Sequence, residues 1–188
     1  MVKQLRPALL MLAILTLLTG VIYPLVVTGI AQLVFPRQAH GSLVMAGDAV
    51  VGSALLGQAN AGPRYFQPRP SATGYGTLPS GGSNLAPTSA DLAAAVAQRA
   101  VDFRAANGLS ADAAVPTEML LASGSGLDPH ISPDAARLQV SRVAAARGLD
   151  EATVAALVEE HVEGPQLGIL GQPRLNVLLL NLALDGLE

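Results

Sequence analysis

The sequence predicts an α+β (mixed α/β) domain, held outside the cytoplasm by one N-terminal transmembrane helix. Three observations predict it. No charged residue occurs from Pro7 to Pro36, while Lys3 and Arg6 precede that run. All 14 acidic residues follow it. Beyond it, apolar runs of strand length alternate with stretches of helical periodicity. The chain accordingly divides into a cytoplasmic N-terminus (1–6), a transmembrane helix (7–35) and a soluble mixed α/β domain (36–188).

The span comes first. Its apolar residues exceed the roughly 20 that a helix needs to cross about 30 Å of hydrocarbon. A cleaved signal peptide with Gly29-Ile30-Ala31 as its cleavage site is the competing reading, and the run is too long for a typical signal core. Thr16, Gly20, Pro24 and Thr28 recur every four residues, a small-residue face that lets another membrane helix approach closely. Pro24 removes one backbone hydrogen bond and predicts a kink. Lys3, Arg6 and the terminal amine lie before the span and Arg37 alone lies close behind it, which places the amino terminus in the cytoplasm.

After the span, Ala49 to Leu56 reads as a buried strand ending at Gly57-Gln58. Tyr65 to Ala72 holds Pro68 and Pro70, which disfavour the helical region at the residues before them. Ser80-Gly81-Gly82-Ser83-Asn84-Leu85 through Thr88 is a loop rich in turn residues. A helix follows from Ser89, with Leu92, Val96, Ala100 and Phe103 on one face and Asn107-Gly108 as its end. Val115 to Ala122 reads as a second strand.

Ser123-Gly-Ser-Gly then forms a loop, and Ser132-Pro133 reads as N-cap and first residue of a helix ending at Gly148. Asp134 suits the positive end of that helix. Ala136, Val140, Val143 and Ala144 share its inner face, with Gln139 at the edge. Asp150 caps another helix, with Val154, Leu157, Val158 and His161 on one side and Gly164-Pro165 as the stop. Leu175 to Leu184 reads as a fully buried strand.

Composition removes several kinds of chemistry. A net charge of -3 provides no basic field for nucleic acid. No cysteine is present, so disulfides, thiolate metal sites and thiol nucleophiles are excluded. Lys3 is the only lysine and precedes the span, so no P-loop is available. Asp128, His130 and Asp134 form the densest polar cluster. His40 and His161 are far off in sequence, so the cluster lacks the converging ligands of a metal site and reads as side chains tying loop to helix. Ser123 or Ser125 with His130 and Asp128 lacks the Gly-x-Ser-x-Gly elbow of a hydrolase.

Four stretches resemble the KdpC family, the C subunit of the bacterial high-affinity potassium-transporting Kdp ATPase. They are the signature from Ser123 to Gln139, the Tyr65-Phe66-Gln67-Pro68-Arg69-Pro70-Ser71-Ala72 run, the Ser80-Gly81-Gly82-Ser83-Asn84-Leu85 loop and the Leu175-Asn176-Val177-Leu178 segment, where Leu175 replaces the family's Val. The resemblance implies a non-catalytic subunit with no cofactor of its own. Its partners are then a channel-like potassium-translocating subunit, a P-type ATPase subunit and a very small membrane subunit. It implies a role in holding that complex together and in raising the ATPase subunit's affinity for ATP. Gln139 is the matching position for nucleotide contact, and Ser80, Gly81, Gly82 and Ser83 faintly resemble a phosphate-contacting signature loop. The signature residues expected to be structural are Asp128, His130, Ser132, Pro133 and Asp134. The second reading is a membrane-anchored extracytoplasmic module that binds a small ligand.

Overall fold

A computed structural model describes residues 2–60 and 62–187. By its contacts the chain divides at Ser53/Ala54 into two compact units. The first unit is a long helix and a hairpin. Helix α1 (Val2–Leu17) passes through a π turn (Leu18–Ile22) into α2 (Tyr23–Val34), and a single turn α3 (Pro36–Ala39) follows. Lys3–Val34 contains an 18-residue stretch of mean hydropathy 2.4 and is long and apolar enough to cross a membrane. The π turn lies just before Pro24, where the proline has no amide to donate, and Tyr23 N–H reaches back to the Leu18 carbonyl.

Strands β1 (Leu43–Ala46) and β2 (Ala49–Ser53) pair antiparallel around Gly47-Asp48, and Gly47 takes the first corner at φ +60. The register skips a residue at Val51, a β-bulge. This corrects one expectation. The strand expected over Ala49–Leu56 exists only to Ser53, and among the described residues it pairs with β1 alone. It is therefore not fully buried: Ala49 and Val50 are exposed, Val51 and Gly52 half-buried and Ser53 buried.

The second unit is built mainly of helices. Helix α4 (Ala90–Ala106) starts where Ser89 Oγ accepts the Leu92 amide and stops at Asn107-Gly108, with Gly108 at φ +65. Its expected face is half-buried. Strand β3 (His130–Ile131) leads into α5 (Pro133–Arg137), α6 (Val140–Arg147), α7 (Glu151–Glu160), strand β4 (Leu175–Asn176) and α8 (Val177–Asp185). The two short strands pair antiparallel, His130 with Asn176 and Ile131 with Leu175. Phe66, Ile131, Val143, Val158, Leu175 and Leu180 are among the fully buried side chains of one continuous core.

Three further expectations are corrected here. Val115–Ala122 is not a strand: Pro116 opens a tight turn (Thr117–Met119) that buries Met119 and aims Glu118 at the Ser132 amide, 2.7 Å away. Leu175–Leu184 is a strand for two residues and then a helix. Asn176 Oδ1 accepts the Leu179 amide, and Val177, Leu180, Asn181 and Leu184 form a buried face at helical spacing. The helix expected from Pro133 to Arg147 is broken into α5 and α6 at Leu138-Gln139. Gly148 does terminate it, in the left-handed region at φ +69.

Candidate functional site

The site is the junction of the Ser123–Ser132 loop with α5. Ser132 is bonded in both directions: its Oγ accepts the Ala135 amide at 3.2 Å, and its own amide donates to Glu118. Pro133 occupies the first helical position, where a missing N–H costs nothing. Asp134 lies in the first turn, 81 % exposed, and accepts from Arg137 Nη1 at 2.8 Å. Arg137 also grips Glu159 on α7 with two bonds, of 2.7 and 3.0 Å. That pairing raises the guanidinium's pKa and lowers the carboxyl's. Asp134 therefore joins a surface ion-pair chain, apart from Asp128 and His130.

Asp128 closes the loop on itself. Its Oδ1 accepts the His130 amide at 3.0 Å and its Oδ2 accepts Arg69 Nη1 at 2.9 Å. The imidazole stands alongside, with Nδ1 3.6 Å from Oδ1, longer than a hydrogen bond. His130 and then Arg69 pull the Asp128 pKa down to about 2, against a burial that pushes it up. Arg69 Nε is buried and donates to nothing among the described residues. Arg69, Asp128, His130, Asp134, Arg137 and Arg174 line part of an open cleft of about 690 Å³. The described residues hold no group of three or more His, Cys, Asp or Glu side chains able to bind a metal.

The glycines of this loop serve a close approach. A Cβ on Gly126, which sits at φ +70, would lie 2.7 Å from the Gly81 carbonyl and 2.8 Å from Thr73 Oγ1. One on Gly82 would lie 3.3 Å from the Gly124 carbonyl. The Ser80–Ser83 loop and the Ser123–Gly126 loop are thus packed backbone to backbone, a juxtaposition that neither stretch announces by itself.

Gln139 lies inside, fully buried, and not at the helix edge. Its Oε1 accepts the Gln67 amide at 2.7 Å and Arg142 Nη2 at 2.8 Å; its Nε2 donates to the carbonyls of Gln67 at 3.3 Å and Ala135 at 3.2 Å. That uses both lone pairs and both protons of the amide. None of these bonds reaches the Ser80–Ser83 loop. Asn181 does the same one residue earlier: it accepts the Phe66 amide at 2.8 Å and donates to the Phe66 carbonyl at 3.0 Å. Two neighbouring residues of the Tyr65–Ala72 run are each clasped by a side-chain amide.

Two arginines complete the clasp. Arg142 donates to the carbonyls of Pro63 and Tyr65 and to Asn107 Oδ1, and burial lowers its pKa. Arg147, whose side chain is wholly buried, binds Asp185 at 2.6 Å and lies 4.8 Å from the Tyr65 ring centroid. Asn181, Arg142 and Arg147 are missing from the sequence reading. The available signal was an asparagine inside an otherwise apolar run and two arginines on a helix with a buried face.

Thr16, Gly20, Pro24 and Thr28 all lie on the long first-unit helix and are exposed along it. The π turn holds more than four residues per turn, so a four-residue repeat drifts less across it than along a regular α-helix.

The family model described as "K+-transporting ATPase, c chain" matches residues 5–186. A potassium-transporting ATPase KdpC subunit of Sorangium cellulosum is 58% identical over 189 residues, covering 99% of both chains. One of Rhodospirillum rubrum is 56% identical, covering 98% of this chain and 96% of its own. One of Geobacter sulfurreducens is 52% identical, covering 98% of each. The matches run across the span, the two glycine loops, the capped junction and the closing helix, and the chain belongs to the KdpC family, the c chain of potassium-transporting ATPases.

Proposed function

We propose that this chain is a non-catalytic subunit that stabilises an ATP-driven, high-affinity potassium importer from outside the cytoplasm, near the potassium entrance. Its partners are the channel-like potassium-translocating subunit, the P-type ATPase subunit and the small membrane subunit. The span crosses the bacterial inner membrane once, with residues 1–6 cytoplasmic and the chain from Arg37 onward outside. Lys3 and Arg6 against Arg37 support that orientation. The Thr16, Gly20, Pro24 and Thr28 face packs on a partner helix, where small residues permit close contact.

The observation that carries the reading is the state of Gln139. Its four hydrogen bonds all go to the chain's own groups, so a nucleotide could be contacted only by breaking at least one of them inside the core. Any gain in ATP affinity is therefore transmitted through the membrane helices to the ATPase subunit, which holds the ATP. The ATPase relatives also weigh against a stand-alone ligand-binding module.

Two measurements on the assembled complex test this. Ser110 is exposed and the chain has no cysteine, so Ser110→Cys creates a single label site. Labelling by an impermeant thiol reagent in intact cells is expected. Gln139→Ala is expected to loosen the complex. If Ser110→Cys labels only in opened cells, and Gln139→Ala raises the KM for ATP while the complex stays intact, direct nucleotide contact is correct and this proposal fails.

A further inference from the structure

Between α7 and β4 the chain forms a small projecting knob. Its base is fastened by paired backbone bonds between Glu163 and Arg174, 2.8 and 3.0 Å, and by an ion pair between their side chains at 3.0 Å. Higher up, the amides of Leu170 and Gln166 close a second ring, at 2.9 Å to the Gln166 carbonyl and 2.8 Å to the Leu170 carbonyl. At the tip Leu167 is 88 % exposed, Ile169 82 % and Leu170 55 %. Leu167 sits at φ +55, a backbone conformation unfavourable for a branched side chain, and Gly168 follows at φ +77. The turn thus holds an aliphatic side chain in water on a strained backbone, and nothing in the core calls for it.

We infer that this knob inserts into an apolar pocket on another protein subunit of the same potassium-transporting ATPase. The inference rests on the proposed assembly role. Size selects the occupant. Three aliphatic side chains fall far short of the 20–30 residues, or roughly 800 Å² a side, that a free-standing interface buries. The knob could not hold a second copy of this chain, or a soluble partner, from solution. It suffices against a subunit that shares the complex, where one attachment has already raised the effective concentration of the other.

Composition separates a protein pocket from a lipid surface. From Gly164 to Pro173 there is no charged and no aromatic residue, so the headgroup anchors of an interfacial segment are absent. The rigid turn, in contrast, lowers the ordering cost of entering a shaped pocket. Val162, Gln172, Pro173 and Arg174 at the knob's base also line the cleft that holds Arg137 and Asp134, so an apolar tip adjoins a polar rim.

The test uses the full chain expressed with its complex. Leu167→Asn with Ile169→Asn keeps a turn that asparagine tolerates and removes the two most exposed apolar side chains of the tip. The amount of chain retained after detergent extraction is expected to fall at least about tenfold, the scale of a hot-spot loss. Ile169→Val should be retained normally. In parallel, p-benzoylphenylalanine in place of Ile169 should photo-cross-link to one of the other subunits. Retention of the double variant at the wild-type level overturns the inference. So does cross-linking to lipid alone, to a second copy or to nothing. If the unaltered chain fails to co-purify with the other subunits, the assembly role itself falls; if it co-purifies and only the knob tests fail, that role stands.

Discussion

Asp128 shows how one carboxylate can close a loop and what acid should do to it. Its pKa in the folded chain is about 2, below the ordinary 3.8. A lowered carboxyl pKa adds stability that is complete above the ordinary value and is lost as pH falls through the folded one. The shift corresponds to about 1–2 kcal/mol once partial exposure is discounted. We expect the full chain to lose that much between about pH 4 and pH 2, and Asp128→Asn to show a flatter melting profile there. Identical acid profiles for the two would show that the Arg69 and His130 contacts contribute nothing. The helix start at this junction was legible in sequence because caps are local: Ser132 Oγ meets the Ala135 amide within the same turn, and Pro133 has no amide to satisfy. Gln139 was misplaced because its partner, Gln67, is 72 residues away. No periodicity reports an amide that turns inward to bind a distant backbone.

Elements divide along the same line. Ser89, Asn107-Gly108 and Gly148 mark helix ends at the expected positions, since each end is set by its own few residues. Asp150 precedes α7 as expected, but its side chain accepts no amide there, so the expected cap bond is absent. The long apolar runs were ambiguous, because a fully buried strand and a fully buried helix both read as unbroken hydrophobicity. In Leu175–Leu184 the deciding marks were Asn176, a cap, and Asn181, one helical turn and a residue beyond it. In Val115–Ala122 they were Pro116 and Glu118. The glycines offer a sharper test of the architecture. Gly126 and Gly148 have nearly the same φ, +70 and +69, but only Gly126 has atoms where a Cβ would go. Gly148→Ala should cost about 1 kcal/mol, for the backbone alone. Gly126→Ala should cost at least about twice that, because the Gly81 carbonyl and Thr73 must also give way. Equal melting temperatures for the two variants would mean that the two glycine loops are not in contact.

At the scale of the molecule, the sequence showed a span followed by a domain of mixed elements, and it did not show how little sheet that domain needs. Strands β3 and β4 contribute two residues each. Most of the extended chain at the centre is held in another way. A side-chain carboxamide has the same donor and acceptor as a peptide group, so Asn181 and Gln139 stand beside Phe66 and Gln67 as two links of a strand that is not there. Such a surrogate cannot be assembled early. It requires α8 and the α5–α6 break to be in position before residues 66 and 67 have anything to bind, although those residues leave the ribosome long before their partners. Hydrogen exchange can read this: the amides of Phe66 and Gln67, in no helix and no strand, should exchange as slowly as those of the core helices. Fast exchange at both would show that the segment opens on its own. Slow exchange would make it the keystone of the second unit, a segment synthesised early and locked last.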